Sequence, residues 1–314
     1  IKNGEKEPYL NHCIVLGDCA SRENIEMECY ETERECLLAW QRLIQRENPD
    51  IVAGYNICGF DYSFMIGRSE ETNCKNEFLK MSRNIDETCL VKKSSIKIAS
   101  GVHELEYIEM KGRIPLDLYN YFRREYNLSS YKLDNVASYF ISDTVKDYDV
   151  MKEETKIYSN NLMGLKSGNY ICFEITGYSS EKYKNGKKFQ VKEVGDKWFT
   201  IKGKAEPDKK KYIKWCLAKD DVTPHDIFRL SNGTKEDKAI VMVYCIMDCK
   251  LCGILLNKID ILTGFIEIAS ICSIPISYVV LRGQGIKLLS FIGKKCREKE
   301  TLLPDIEKGN MNSW

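Results

Sequence analysis

A short apolar run near residue 50 places the strongest limit on the fold. Residues 51–55 read Ile-Val-Ala-Gly-Tyr, a continuous apolar stretch of strand length. Such a run is typical of a strand that is covered on both faces by helices. A helical pattern that opens with Thr32 and Glu35 precedes it, and two β-prone segments at 13–16 and 25–30 precede that helix. The order of strands and helices predicts an α/β domain.

The composition is that of a folded protein without a bias toward one partner. At about 150 residues per domain, 314 residues allow roughly two domains. Hydrophobic residues make up 43%, charged residues 30%, and the net charge is +1, which argues against disorder and against an overall basic surface. No secretory signal opens the chain, so we expect the 14 cysteines to be thiols in a reducing, intracellular compartment. The apolar stretch 254–281 is interrupted by Lys258, Asp260 and Glu267, so no membrane segment is expected.

Changes in pattern along the chain predict four segments. Runs of β-prone residues separated by turn signals between 168 and 201 predict a β-rich insertion. The polar stretch 70–95 has no clear period and predicts a surface loop. The predicted segments are the first part of the α/β domain at 1–160, the insertion at 161–233, a closing helix at 234–262 and a helical segment at 263–314.

The insertion is strongly basic. Residues 181–214 contain twelve lysines and five acidic residues, an excess of seven positive charges. One interpretation is a patch that attracts phosphates, with Lys184, Lys187 and Lys188 as candidate DNA-binding residues. The other is a solvated hairpin whose lysines protect an edge strand. The two interpretations have about equal weight.

An acidic residue lies in the apolar face of the longest predicted helix, which runs from Thr234 to about Ile259. The spacing of this helix places on one face Ile240, Tyr244, Asp248, Leu251 and Leu255. An ionised carboxylate buried without a partner costs several kcal/mol, so Asp248 should face a metal, another cation or strong hydrogen-bond donors. The alternative is a rim position with a salt bridge to Lys or Arg.

A second acidic residue, Asp61, follows the apolar strand in aromatic company. Its neighbours include Phe60, Tyr62 and Phe64. Carboxylates that converge from separate elements form the oxygen cage that Mg²⁺ or Mn²⁺ prefers, and paired metals of this kind hydrolyse phosphodiesters. The sequence therefore predicts a divalent-metal site at Asp61 and Asp248. The alternative for Asp61 is a turn or helix cap.

Two motifs resemble the 3′→5′ exonuclease region of the B-family DNA polymerases. Residues 56–61, Asn-Ile-Cys-Gly-Phe-Asp, resemble its second motif, Asn-x-x-x-Phe/Tyr-Asp, and residues 244–248, Tyr-Cys-Ile-Met-Asp, match its third motif, Tyr-x-x-x-Asp. Segments 48–55, 130–136 and 282–287 are similar to flanking family segments in the same order, so the resemblance runs nearly end to end. The long insertion makes the chain most similar to polymerases of large eukaryotic DNA viruses.

The resemblance implies an RNase H-like mixed-sheet domain with a β-rich insertion and a C-terminal helical extension. In this family such a domain removes 3′-terminal nucleotides for a DNA-directed DNA polymerase. It implies that Asp61 and Asp248 hold Mg²⁺ or Mn²⁺, that Tyr244 orients the attacking water, and that Asn56 and Phe60 contact the strand. The implied partners are primer-template DNA, a single-stranded 3′ end and a processivity factor, in a viral factory or the nucleus.

The chain also departs from the family pattern. The first motif, Asp-x-Glu, is expected before the first strand and is absent there, and residues after Gly283 resemble an approach to a palm domain that does not follow. We therefore expect a fragment whose metal site lacks the carboxylates of the first motif and is inactive alone. Asp305–Glu307 fits the three-residue pattern but lies in a tail, so we set it aside. Two alternatives remain: a DNA- or replisome-binding module, and an independent nuclease whose site is completed by Glu104, Glu106 or Asp117.

Overall fold

The computed structural model describes residues 1–2, 5, 7–84, 87–98, 101–177, 180–218 and 223–303. Over these residues the chain is a mixed α/β structure, as predicted. The helices are α1 (Glu33–Glu47), α2 (Tyr62–Glu71), α3 (Lys75–Phe78), α4 (Leu118–Glu125), α5 (Leu133–Phe140), α6 (Pro224–Ser231), α7 (Lys235–Lys258), α8 (Ile261–Cys272), α9 (Ile276–Leu281) and α10 (Gln284–Glu298). The strands are β1 (His12–Leu16), β2 (Glu26–Tyr30), β3 (Ile51–Gly54), β4 (Leu90–Ile98), β5 (Gly101–Glu109), β6 (Ile114–Asp117), β7 (Ser142–Thr144), β8 (Asp147–Val150), β9 (Glu154–Tyr158), β10 (Tyr170–Thr176), β11 (Ser180–Lys182), β12 (Phe189–Val194), β13 (Trp198–Lys202) and β14 (Tyr212–Ala218).

The strands form one large antiparallel sheet and three separate pairs. The large sheet has the order β7-β14-β10-β12-β13-β9-β8, and β11 pairs with β10. The pairs β1–β2 and β3–β6 are parallel, and β4–β5 is an antiparallel hairpin. In the β3–β6 pair, Gly54 lies opposite Asp117, so the segment that follows β3 begins beside the end of β6.

The two main predicted helices begin where their local signals place them. At α1, Thr32 and Glu35 form reciprocal hydrogen bonds between side chain and backbone. At α7, Thr234 and Asp237 form the same kind of capping box. Each cap satisfies backbone N–H groups that have no partner inside the helix, which stabilises a helix by about 1 kcal/mol.

The large sheet extends beyond the predicted insertion. β7, β8 and β9 all precede residue 161, and β9 pairs with β13 from Glu154 opposite Lys202 to Tyr158 opposite Trp198. The division placed at residue 160 therefore falls within one sheet. The predicted hairpins after residue 168 are present as β10 to β13.

The prediction of a surface loop over 70–95 is wrong. This stretch contains the end of α2, the short helix α3 and most of β4. Phe78 and Met81 are fully buried, and the Phe78 ring stacks on Trp40 at 5.8 Å between centroids. Helix α1 covers the segment. Its burial therefore comes from tertiary packing, which its polar sequence does not indicate.

Helix α7 connects several parts of the structure. It packs against β1, β3, α5, α6 and α8, and Leu255 near its end is fully buried in the largest core. Among the described residues it is the one helix long and apolar enough to cross a membrane, with a mean hydropathy of 2.1 over its most apolar window. Core helices of soluble proteins meet the same criterion.

Candidate active site

The loop between β3 and α2 carries the first predicted acidic residue. It contains a π-helical turn, Ile57–Asp61, which Asn56 enters with a left-handed φ of 60°. The Asn56 side chain folds over Gly59, where an added Cβ would come too close to Asn56 Oδ1. A larger residue at this position would require the Asn56 side chain to shift.

Asp61 lies at the end of this turn and is exposed. The surrounding protein nevertheless removes enough water to raise the pKa of its carboxyl group. Asp61 precedes α2 but makes no side-chain capping hydrogen bond. The geometry thus gives no support to the alternative of a helix cap.

Two aromatic rings lie exposed next to Asp61. Phe60 is 61% exposed and Phe64 is 54% exposed. Their rings stack with centroids 6.0 Å apart and an interplanar angle of 11°. Exposed, nearly parallel rings form a platform for another flat, apolar group such as a nucleobase. Phe64 was not among the predicted site residues, although its spacing of four from Phe60 was visible in the sequence.

Asp117, at the end of β6, is buried and holds the Asp61 loop. Its Oδ1 accepts hydrogen bonds from the N–H of Asn56 at 2.8 Å and of Tyr119 at 3.0 Å. Its Oδ2 accepts from the N–H of Cys58 at 3.0 Å and from the Asn120 side chain at 3.1 Å. Both oxygens are occupied by donors, so Asp117 is poorly suited to complete a metal site.

The second predicted acidic residue, Asp248, is half-buried on α7 rather than in open solvent, and its Oδ1 is fully buried. Tyr244 is half-buried one helical turn earlier. Both side chains line a cavity of about 290 Å³, together with Asp134 of α5 and Tyr170 of β10. The cavity therefore lies between α7, which carries the third predicted motif, α5, and β10 of the large sheet.

Both predicted acidic residues affect the pKa of the Cys249 thiol on α7. Burial is the main cause of its raised pKa, and the carboxylates of Asp248 and Asp61 raise the pKa further by charge repulsion. Helix α7 packs against β3, so Asp248 and the loop that carries Asp61 belong to neighbouring elements that are distant in the sequence. Their oxygens, one buried and one in a carboxyl group of raised pKa, fit a divalent cation, whose charge would offset the loss of water.

A different group of possible metal ligands lies on β1 and β2. Among the described residues it is the one set of three whose ligand atoms all lie within 4.8 Å of one another, and it consists of His12, Glu26 and Glu28. Arg46 reaches Glu28 at 3.7 Å and Glu26 at 4.0 Å, so a guanidinium already compensates these carboxylates. This group contains neither Asp61 nor Asp248, and Asp305–Glu307 lies outside the described residues.

The candidate lysines lie at a turn of the insertion. Lys184 and Lys187 are exposed at the turn between β11 and β12, and Lys188 is half-buried beside them. Several other lysines of the basic segment pair with acidic side chains, in the ion pairs Lys192–Glu154, Lys209–Asp147 and Lys211–Glu181. Glu154 and Asp147 lie outside residues 181–214, so these pairs compensate only two of the seven excess positive charges.

Comparison with known proteins gives a consistent set of matches. The model of the DNA polymerase family B exonuclease domain matches residues 1–136. The chain is 44% identical to the DNA polymerase of Phaeocystis pouchetii virus over 98% of its length, covering 32% of that protein. It is 36% identical to the DNA polymerase of Pyramimonas orientalis virus over 97% of its length, covering 24%. The DNA polymerase delta catalytic subunit of Glycine max is 26% identical over 97% of the chain, which covers 21% of it. The chain thus spans a third or less of these relatives.

Proposed function

Because this chain belongs to the exonuclease region of the family B DNA polymerases, we propose that it carries the 3′→5′ proofreading site of a DNA-directed DNA polymerase. The substrate is the single-stranded 3′ end of a primer that leaves its template. The site lies in a domain of RNase H type, and the full-length protein acts with a processivity factor where viral or cellular genomes are copied. The observation that carries the proposal is the packing of α7, which bears Tyr244 and Asp248, against β3, whose following loop bears Asp61.

Each residue of the site has a separate proposed role in hydrolysis. Asp61 and Asp248 would hold Mg²⁺ or Mn²⁺, which when bound acidifies water and stabilises charge on phosphate oxygens. Tyr244, one turn from Asp248 on the cavity wall, orients the attacking water. Asn56 and Phe60 bind the terminal nucleotides from the loop that carries Asp61. The site would need no histidine base if a metal held by these carboxylates activated the water.

An assay of strand degradation tests the proposal. A 3′-labelled single strand is incubated with the full-length protein or with residues 1–314 alone, in Mg²⁺ or Mn²⁺. We expect the full-length protein to remove 3′ nucleotides and a chelator to stop it, with negligible degradation by residues 1–314. Rapid cleavage by residues 1–314 would instead support an independent nuclease. If the full-length protein binds the strand without cleaving it, the chain is a binding module.

The aromatic platform predicts a loss of affinity when Phe64 is replaced. In the full-length protein, Phe64→Ala should weaken binding of a single-stranded oligonucleotide about tenfold, because a stacked base contributes ~1–3 kcal/mol. Fluorescence anisotropy in the presence of a chelator measures this without cleavage. The matched control is Phe228→Ala on α6, where the side chain is 73% exposed, and its affinity should be unchanged. Equal affinities for the two variants would contradict the stacking role.

The basic turn predicts a change in salt dependence. Replacing Lys184, Lys187 and Lys188 by alanine should lower DNA affinity and reduce the slope of log K against log salt by about 2, because each contacted phosphate contributes about 0.7 on a single strand. The control replaces three exposed lysines away from the insertion, Lys80, Lys92 and Lys93. If both triple variants keep the wild-type slope, the lysines serve only to solvate the turn.

A further inference from the structure

We propose that Asp117 is the positioning residue of the site: its carboxylate fixes the loop that aims Asp61, Asn56 and Phe60. This inference rests on the proposed exonuclease function, and it adds a residue that lies outside both exonuclease motifs. Asp117 itself touches neither metal nor DNA. It acts through the backbone of the loop.

The contacts of Asp117 connect two elements that are far apart in the sequence. It is 6% exposed at the end of β6, and two of its hydrogen bonds go to the loop N–H groups of Asn56 and Cys58. The other two go to the start of α4, at Tyr119 and Asn120. Burying a carboxylate is costly, and these four donors are what makes the position tolerable. The carboxylate therefore joins the loop to a helix that is anchored in the core.

The loop has a backbone that requires such an anchor. A π-helical turn is a rare conformation, and Asn56 enters it with a positive φ. The N–H groups of Asn56 and Cys58 point toward β6, where a lost acceptor would leave them buried and unsatisfied. Without Asp117 the turn is expected to relax, which moves Asp61 at its end.

Two substitutions separate this role from simple helix capping. Asp117→Ser keeps an oxygen that can cap α4 through the N–H of Tyr119, but it is too short to serve the loop as well. Asp117→Asn keeps one oxygen that can accept from the N–H of Asn56. Its amide NH₂ would face the N–H of Cys58, and because both groups are donors no hydrogen bond can form there. The matched control is Asn120→Ala, which removes a hydrogen bond from the same carboxylate on the α4 side only.

The test measures exonuclease kinetics of the full-length protein. We expect Asp117→Asn and Asp117→Ser to lower kcat about 100-fold and to raise KM for a single strand severalfold, because the displaced loop carries Asp61 as well as the strand contacts Asn56 and Phe60. Asn120→Ala should keep a nearly wild-type kcat. A wild-type kcat in both Asp117 variants, or an equal loss in Asn120→Ala, overturns the inference.

A second measurement does not depend on how the variants fold. Site-resolved hydrogen exchange of the wild-type full-length protein should show slow exchange at the N–H groups of Asn56 and Cys58. Fast exchange at both contradicts the anchoring role. A wild-type protein without exonuclease activity but with slow exchange contradicts the proposed function and leaves the anchor in place, so the two failures are distinguishable.

Discussion

Asp248→Ala in the full-length protein is expected to lower the rate of 3′→5′ degradation by about 10³-fold or more. Metal coordination contributes several kcal/mol to stabilising the charge that develops on phosphate oxygens, and a loss of ~4 kcal/mol corresponds to about 10³-fold in rate. Release of 3′-terminal nucleotides from a labelled single strand measures the effect.

The control for this prediction is an acidic residue on the same cavity. Asp134 of α5 lines the cavity with Asp248 but is exposed and belongs to neither motif. Asp134→Ala should therefore keep most of the activity. Extension of a correctly paired primer should be unaffected in both variants. An equal loss of degradation in the two variants would point to a general disturbance of the cavity and against metal binding by Asp248.

Trp215→Ala is expected to destabilise the protein by about 3–5 kcal/mol, because it leaves a large cavity in the core that packs on the large sheet. Trp215 is fully buried, and its ring lies 5.5 Å from Phe199, centroid to centroid. Its Nε1–H also donates to Ser159 Oγ at 2.9 Å, so the substitution removes a donor as well as a ring. Urea unfolding followed by circular dichroism measures the change in the free energy of unfolding.

A second tryptophan of the same sheet provides the matched control. Trp198 is half-buried, and the Lys156 ammonium lies 4.0 Å above its ring. Trp198→Ala should cost only about 1 kcal/mol, since an exposed cation–π contact contributes about 0.5–1 kcal/mol. Equal losses in the free energy of unfolding for the two variants would contradict the larger role of Trp215 in the core.

The elements that the sequence predicted well are those set by local chemistry. The capping boxes of α1 and α7 lie within four consecutive residues, so they are visible without any knowledge of tertiary structure. The pairing of β9 with β13 joins residues about forty positions apart, and no local period reveals it. For the same reason the buried ring of Phe78 was assigned to a surface loop, since its cover comes from α1.

The sequence drew attention to the candidate residues but not to the hydrogen bonds that hold the loop of Asp61 in place. The apolar surroundings of Asp61 and Asp248 drew attention to both residues from the sequence. Asp117 was considered as a carboxylate that could complete the site, whereas in the structure it caps α4 through the N–H of Tyr119. Its hydrogen bonds to the loop after β3 depend on the parallel pairing of β3 with β6, which only the folded chain shows.

The structure of the turn Ile57–Asp61 shows what constrains the residues at the variable positions of the motif. Cys58 is held through its N–H, so the backbone there tolerates many side chains of suitable size but excludes proline. Gly59 lies beside the Asn56 side chain, so a larger residue there would require that side chain to shift. The variable positions of the motif, residues 57–59, therefore affect the path of the backbone, while Asn56, Phe60 and Asp61 are the proposed functional residues.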